Sequence, residues 1–279
     1  MRHVSRFNES TLEESNDRCV RILWTGGWDS TFRVLYAALV DGKRVEPHYV
    51  IDITRPSSIR ELQAISDIKA ILRTSHKEAY ERIAPLQITA ANEIPEDPEI
   101  SSAWKRLKER AFLGYQYDWL ARYAKSKNVT NLELSVHVDD KLYSFLKGHI
   151  EQTSEGGYRL QRRVTGDESI FLRFEFPILD YSKTHMREMA RQHGFLEILE
   201  KTWFCHKPIS GMPCGMCSPC VYAVEEGMRY RLPREAMVRY HTHRYRRAIR
   251  APFVSMRKSL SEVKVLRRVY DLLRYGSSN

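Results

Sequence analysis

The chain contains no run of about 18 apolar residues, which excludes a helix long enough to span a bilayer. Its opening stretch, MRHVSRFNESTLEESNDR, has no apolar segment of signal-peptide type, so secretion is not expected and a cytoplasmic location is. There is no internal repeat and no low-complexity tract. Cysteine is scarce: five in 279 residues, four of them crowded between Cys205 and Cys220. In a chain without an export signal, such crowding points to metal and away from disulfides. What remains, 42% hydrophobic residues, is enough for one substantial core, or one core with an appendage.

The net charge of +10 is unevenly spread. From Arg229 to Asn279 there are fourteen Lys and Arg against Glu235, Glu262 and Asp271, so the basicity belongs to the C-terminal fifth. Residues 1–17 read as a polar leader. CVRILWT then reads as a buried strand, and STFRVLYAALVDG as a helix closed by glycine. Further strands are expected at VEPHYVIDI, LQITAAN, NLELSVHV and FLRFEFPILD. Helices are expected at SSIRELQAISDIKAIL, with Ser58 as a cap, over Trp104–Ser126 as one piece, and at SKTHMREMARQHG. Glu93–Ser101 reads as a proline-rich loop and Glu151–Asp167 as a mobile one. Strands alternating with helices predict an α/β fold, a doubly wound and mostly parallel sheet. Cys19 is expected in the core at the start of the first strand.

Thr25-Gly26-Gly27-Trp28-Asp29-Ser30-Thr31 falls between the first strand and the first helix. That position presents backbone N–H groups and a positive helix end to an anion. Gly26 and Gly27 allow close backbone approach, and Thr25, Ser30 and Thr31 offer hydroxyls. Asp29, an anion, does not suit simple phosphate binding, but it suits holding Mg²⁺ or orienting the loop. No Gly-Lys-Ser/Thr follows, so this is not a Walker A loop. The structural alternative is a tight turn capped by Asp29 or Ser30.

Cys205, Cys214, Cys217 and Cys220 have the spacing of a closed tetrahedral zinc site, with Gly211, Pro213, Gly215 and Pro219 supplying turns. Four protein ligands leave no open position, so the reading is structural. His206 is an alternative ligand, and metal-free thiols or an iron–sulfur cluster are the alternatives to zinc.

The loop resembles the Ser-Gly-Gly-x-Asp-Ser pyrophosphate loop of enzymes that cleave ATP between its α and β phosphates, with Thr25 in place of the serine. Together with Thr202-Trp203-Phe204-Cys205 and Pro213-Cys214-Gly215-Met216-Cys217-Ser218-Pro219-Cys220, it is similar to the 7-cyano-7-deazaguanine synthase family of PP-loop ATP pyrophosphatases. The resemblance spans about residues 19–228. It implies an adenine nucleotide alpha hydrolase-like domain over 18–200 and a zinc segment over 201–228, while the basic helical extension expected over 229–279 runs past the family's pattern. It also implies ATP and Mg²⁺ at Thr25–Thr31, with Asp29 and Ser30 catalytic, and Zn²⁺ on the four cysteines. A deazaguanine carboxylate would be adenylated and attacked by ammonia, giving an amide and then a nitrile. Asp52, Arg60 and Glu61 fall near one family segment, and Arg110 near a family arginine. Where the family has its substrate segment, this chain has VHVDDKLYSFLKGHI, with Asp139, Asp140, Lys141 and Tyr143 as polar candidates.

The extension mixes arginine with tyrosine, which suits nucleic acid, an acidic protein or plain solvent. Relatives of the family also occur in anti-phage gene clusters, so a protein or nucleic-acid amine is an alternative acceptor. Modification of tRNA is a further enzyme reading, and a non-catalytic nucleotide- or partner-binding scaffold is the reading without chemistry. A homodimer is one expected assembly.

Overall fold

The structure, a computed structural model, describes residues 19–138 and 140–246. The polar leader, Asp139 and the end of the basic extension lie outside the described residues. The chain divides into two compact units between His206 and Lys207.

The first unit is built on a seven-stranded sheet: β1 (Val20–Leu23), β2 (Val45–Ile51), β3 (Gln87–Ala90), β4 (Leu132–Glu133), β5 (Ile150–Gln152), β6 (Tyr158–Leu160) and β7 (Phe174–Phe176). Their order is β3-β2-β1-β4-β7-β6-β5. The five from β3 to β7 run parallel, and the β5–β6 hairpin adds antiparallel to β7. The α/β class and mostly parallel sheet are thus as expected. The stretch read as a mobile loop over 151–167 instead supplies this hairpin, turning at Gly156 with φ +82°.

Helices cover both faces, as alternate side chains of β2 record. Tyr49 Oη donates to Glu61 of α2 (Ser58–Ser75) at 2.7 Å, whereas His48 Nδ1 lies 2.8 Å from Tyr123 Oη of α5 (Gln116–Ser126). On the α2 side lie α1 (Trp28–Leu35), α7 (Lys183–Gln192) and α8 (Leu196–Leu199), joined by Phe32 against Tyr181 and Phe195. On the α5 side a large core gathers Trp104, Leu107, Tyr117, Leu120, Phe171 and Phe174. Two short helices, α3 (Lys77–Arg82) and α6 (Tyr143–Leu146), complete the unit.

Several local expectations are corrected. The helix expected from Trp104 to Ser126 is two: α4 (Pro98–Arg110) and α5 are parted at Ala111, whose backbone is extended, and Trp104 Nε1 donates to the Gly114 carbonyl inside the break. α4 begins within the supposed loop because Asp97 caps it, accepting from the Ile100 N–H, with Pro98 in its first turn. Ser58 is no cap: it donates to the Asp52 carbonyl, and Ser57 holds the cap position. Cys19 is half-buried, just outside β1. Among the described residues, no helix is long and apolar enough to cross a membrane.

In the second unit, α9 (Ser218–Glu225) starts beside the cysteines, and residues 234–246 are helical. Arg239 donates from Nε to the Cys214 carbonyl (2.9 Å) and from Nη2 to that of Pro213 (3.2 Å). Gly215, at φ +78°, leaves no room for a Cβ, which would sit 2.0 Å from the Ala236 carbonyl oxygen.

Candidate active site

The sheet order reverses at β1, with β2 and β3 on one side and β4 and β7 on the other. The crevice outside the carboxyl ends of strands at such a point is where open α/β sheets bind ligands. The loop that fills it is Thr25–Thr31.

Its own hydroxyls fold it. The Thr25 N–H donates to Ser30 Oγ at 3.2 Å, Thr25 Oγ1 and Ser30 Oγ are 3.2 Å apart, and the Gly27 N–H reaches Thr25 Oγ1 at 3.4 Å. Below, Trp24 Nε1 donates to the buried Thr31 Oγ1 at 2.9 Å. Gly26 adopts φ +69°, and a Cβ there would lie 2.6 Å from the Glu61 carbonyl oxygen. Glu61 is held in turn by Tyr49, Arg55 and Ser57, so that carbonyl has little freedom to retreat. Burial and the Glu61 carboxylate push the Tyr49 phenol up, so it stays a donor.

α1 opens at Gly27 with no side-chain cap, leaving its first turn to be satisfied from outside. The Trp28 side chain is buried, so what this residue can offer an anion is its backbone N–H. Asp29 stands out. Its Oδ1 is buried and has no hydrogen-bond donor. The positive end of α1 offsets part of that cost, about 0.3–1 kcal/mol. A carboxylate oxygen kept dry beside bare glycine backbone fits a Mg²⁺–polyphosphate ligand better than a lone phosphate.

α1 is locked onto β4 by a buried ion pair. Arg33 donates from Nε and Nη2 to the two carboxylate oxygens of Glu133, each at 2.8 Å, and from Nη1 to Asp41 at 3.1 Å. Burial works against the Arg33 cation, but Glu133 and Asp41 together outweigh it and the guanidinium ends above its ordinary value.

The other residues singled out from the sequence are not all brought to this loop. Arg60 is near it: exposed on α2, its guanidinium lies 5.8 Å from the ring centre of Trp203, whose N–H donates to the Gly26 carbonyl at 2.9 Å. Asp52 sits at the end of β2, accepting from the Thr54 N–H and hydroxyl. Arg110 is exposed at the end of α4 and pairs with Glu168 at 2.8 Å. Asp140 accepts from the Leu142 N–H and the Tyr117 hydroxyl, shaping the turn before α6. Lys141 lies over the Phe112 ring. The sequence reading missed Arg33 and Glu133, and also Ser135, whose hydroxyl is buried without a partner just beyond β4. No motif announces any of the three.

The sulfurs of Cys205, Cys214, Cys217 and Cys220 lie within 4.8 Å of one another. Cys214 and Cys220 are 3.9 Å apart, Cys217 and Cys220 3.5 Å. A tetrahedron with Zn–S bonds of about 2.3 Å sets its sulfurs about 3.8 Å apart. The N–H groups of Met216 and Cys217 donate to Cys214 Sγ, both at 3.3 Å, which steadies thiolate charge. The donor set and spacing fit Zn²⁺.

No protein-family model matches the chain, and no curated protein matches it. Among solved structures it is similar to a 4-thiouridine synthetase in complex with RNA and bound ATP, at 16% identity and a TM-score of 0.33. The match covers 80% of this chain and 53% of the synthetase, so the chain spans about half the length of that protein.

Proposed function

We propose that the chain is an ATP-dependent carbon–nitrogen ligase of the PP-loop kind, related in chemistry to the 7-cyano-7-deazaguanine synthases. A carboxylate oxygen of a deazaguanine-type acid attacks the α-phosphorus of ATP, and pyrophosphate leaves. Ammonia or another amine then attacks the acyl carbon, AMP leaves with the former carboxylate oxygen, and the nitrogen loses a proton. The product is an amide. A second adenylation, on the amide oxygen, followed by loss of AMP and of both protons on the amide nitrogen, gives the nitrile.

The observation that carries this reading is Asp29, with its buried and donorless oxygen in a glycine loop at the switch point of the sheet. Backbone N–H groups of Gly27–Ser30 and the hydroxyls of Thr25 and Ser30 receive the charge that grows on the leaving pyrophosphate. Asp29 would hold Mg²⁺, which supplies Lewis-acid neutralisation of that same charge. Arg60 is the candidate for the acid's carboxylate, because its guanidinium is exposed beside Trp203. Arg110 and Asp140 are engaged with Glu168 and with the turn before α6, which argues against a substrate role for either. Zn²⁺ on the four cysteines is structural.

In the basic extension, two described arginines make internal contacts: Arg239 with the Cys214 and Pro213 carbonyls, and Arg244 with Glu225 and Tyr240. Incubation with ATP, Mg²⁺, the deazaguanine carboxylate and ammonia, followed by mass spectrometry, tests the reading. An amide or nitrile product supports it. AMP release only when protein or RNA is added would replace the small-molecule acceptor with a macromolecular one.

A further inference from the structure

The glycine loop and the first cysteine of the cluster are bridged by one residue, Trp203. Trp203 donates its backbone N–H to the Gly26 carbonyl at 2.9 Å. Its indole Nε1 donates to the Cys205 carbonyl at 2.7 Å. Its own carbonyl oxygen lies 3.8 Å from where a Gly27 Cβ would stand. Trp203 thus bonds Gly26 through its main chain, lies alongside Gly27, and bonds the cysteine residue through its side chain. Thr202 and Cys205, on either side, are buried, so the segment is fixed at both ends.

Gly26 needs such help. Its peptide is held at φ +69°, and in the free state a glycine there has many alternatives. A loop that must present several N–H groups to one ligand gains from having its carbonyl orientations set beforehand. The Gly26 carbonyl accepts from Trp203, and because a trans peptide sets its C=O and N–H on opposite sides, the Gly27 N–H is directed away from Trp203, toward Thr25 Oγ1.

We infer that Thr202–Cys205 is a strap through which the cysteine-bound metal sets the shape of the glycine loop, with Trp203 as its positioning residue. The metal then does more than hold its own segment together: its loss frees Cys205, slackens the strap and lets the Gly26 peptide rotate. The effect on nucleotide affinity rests on the ATP reading above; the effect on loop order does not.

The test is hydrogen exchange of the Gly26–Ser30 amides in the intact chain, read by mass spectrometry beside zinc content and ATP kinetics. Trp203→Ala should keep its zinc and its melting profile, yet exchange these amides about tenfold faster, the ratio one lost hydrogen bond of ordinary strength produces. The KM for ATP should rise by a similar factor with a smaller change in kcat. Trp203→Phe, which keeps a ring under Arg60 but loses the donor to Cys205, should fall between. Stripping zinc from the wild type with a chelator should quicken the same amides. Wild-type exchange in Trp203→Ala would overturn the strap. So would wild-type exchange in Trp203→Phe, should the alanine variant fail to fold. If ATP leaves loop exchange unchanged in the wild type, the ATP reading fails, while the exchange of the Trp203 variants still decides the strap.

Discussion

Replacing Gly26 with alanine isolates what the loop geometry costs. Two penalties combine. An L-residue at φ +69° costs about 1–2 kcal/mol. The new methyl would then sit 2.6 Å from the Glu61 carbonyl oxygen, a backbone atom of α2. α2 cannot slide away cheaply, because the Glu61 side chain is anchored by Tyr49, Arg55 and Ser57. Overpacking of this sort costs about 1–3 kcal/mol. The expected loss is therefore about 2–5 kcal/mol in urea unfolding monitored by tryptophan fluorescence. Gly42→Ala is the control. Gly42 has φ +66°, but nothing lies within 4 Å of its Cβ position, so it incurs only the first penalty. The difference between the two variants measures the contact with Glu61. If Gly26→Ala is no worse than Gly42→Ala, or loses less than about 0.5 kcal/mol, the described packing of the loop against α2 is wrong.

Asp29→Asn should be neutral or stabilising by up to about 1 kcal/mol in the same assay, since it neutralises a half-buried carboxylate whose Oδ1 has no donor, while AMP release falls at least about 100-fold. Glu133→Gln should cost about 1.5–3 kcal/mol by leaving Asp41 as the one counter-charge at Arg33, and the double variant Arg33→Met/Glu133→Leu should cost less than that single change in denaturant titration. Burial, partly opposed by Glu46, holds the His48 imidazole below its ordinary value of 6.5. The unfolded chain therefore takes up a proton as pH falls through about 6.5 and the folded chain does not. Stability is full above that pH and declines below it, by at most about 1.4 kcal/mol per pH unit. Thermal melts of His48→Gln should show a flatter acid limb. One zinc per chain should co-purify, and Cys217→Ser should lose it together with the folding of the second unit, read by metal analysis and limited proteolysis.

The parts legible in the sequence are those set by local chemistry. β1, β2 and β3 announce themselves through apolar, β-branched runs, and the glycine loop through its place between strand and helix. The cysteine spacing draws its residues together because only short turns separate most of them. What the sequence hides is long-range. Arg33 and Glu133 are 100 residues apart, and neither lies in a motif. The contact of Trp203 with Gly26 is carried by a main-chain N–H, which no residue type signals. Pro98 reads as a loop former until its position behind the Asp97 cap is seen, where it starts α4. The β5–β6 hairpin is short and polar, so its alternation is too weak to separate it from a loop. β4 keeps only two ladder residues of the eight in NLELSVHV. Beyond Leu134 the chain turns back on itself, the Val136 N–H bonding to the Leu134 carbonyl.

The most direct measurement is the nucleotide product formed when the purified chain turns over ATP with Mg²⁺, the deazaguanine carboxylate and ammonia, resolved by ion-exchange chromatography. Cleavage of ATP between its α and β phosphates at the Thr25–Thr31 loop predicts AMP and pyrophosphate in equal amounts, and neither from Asp29→Asn. ADP with orthophosphate, or AMP release that Asp29→Asn leaves intact, would contradict the assignment of that loop.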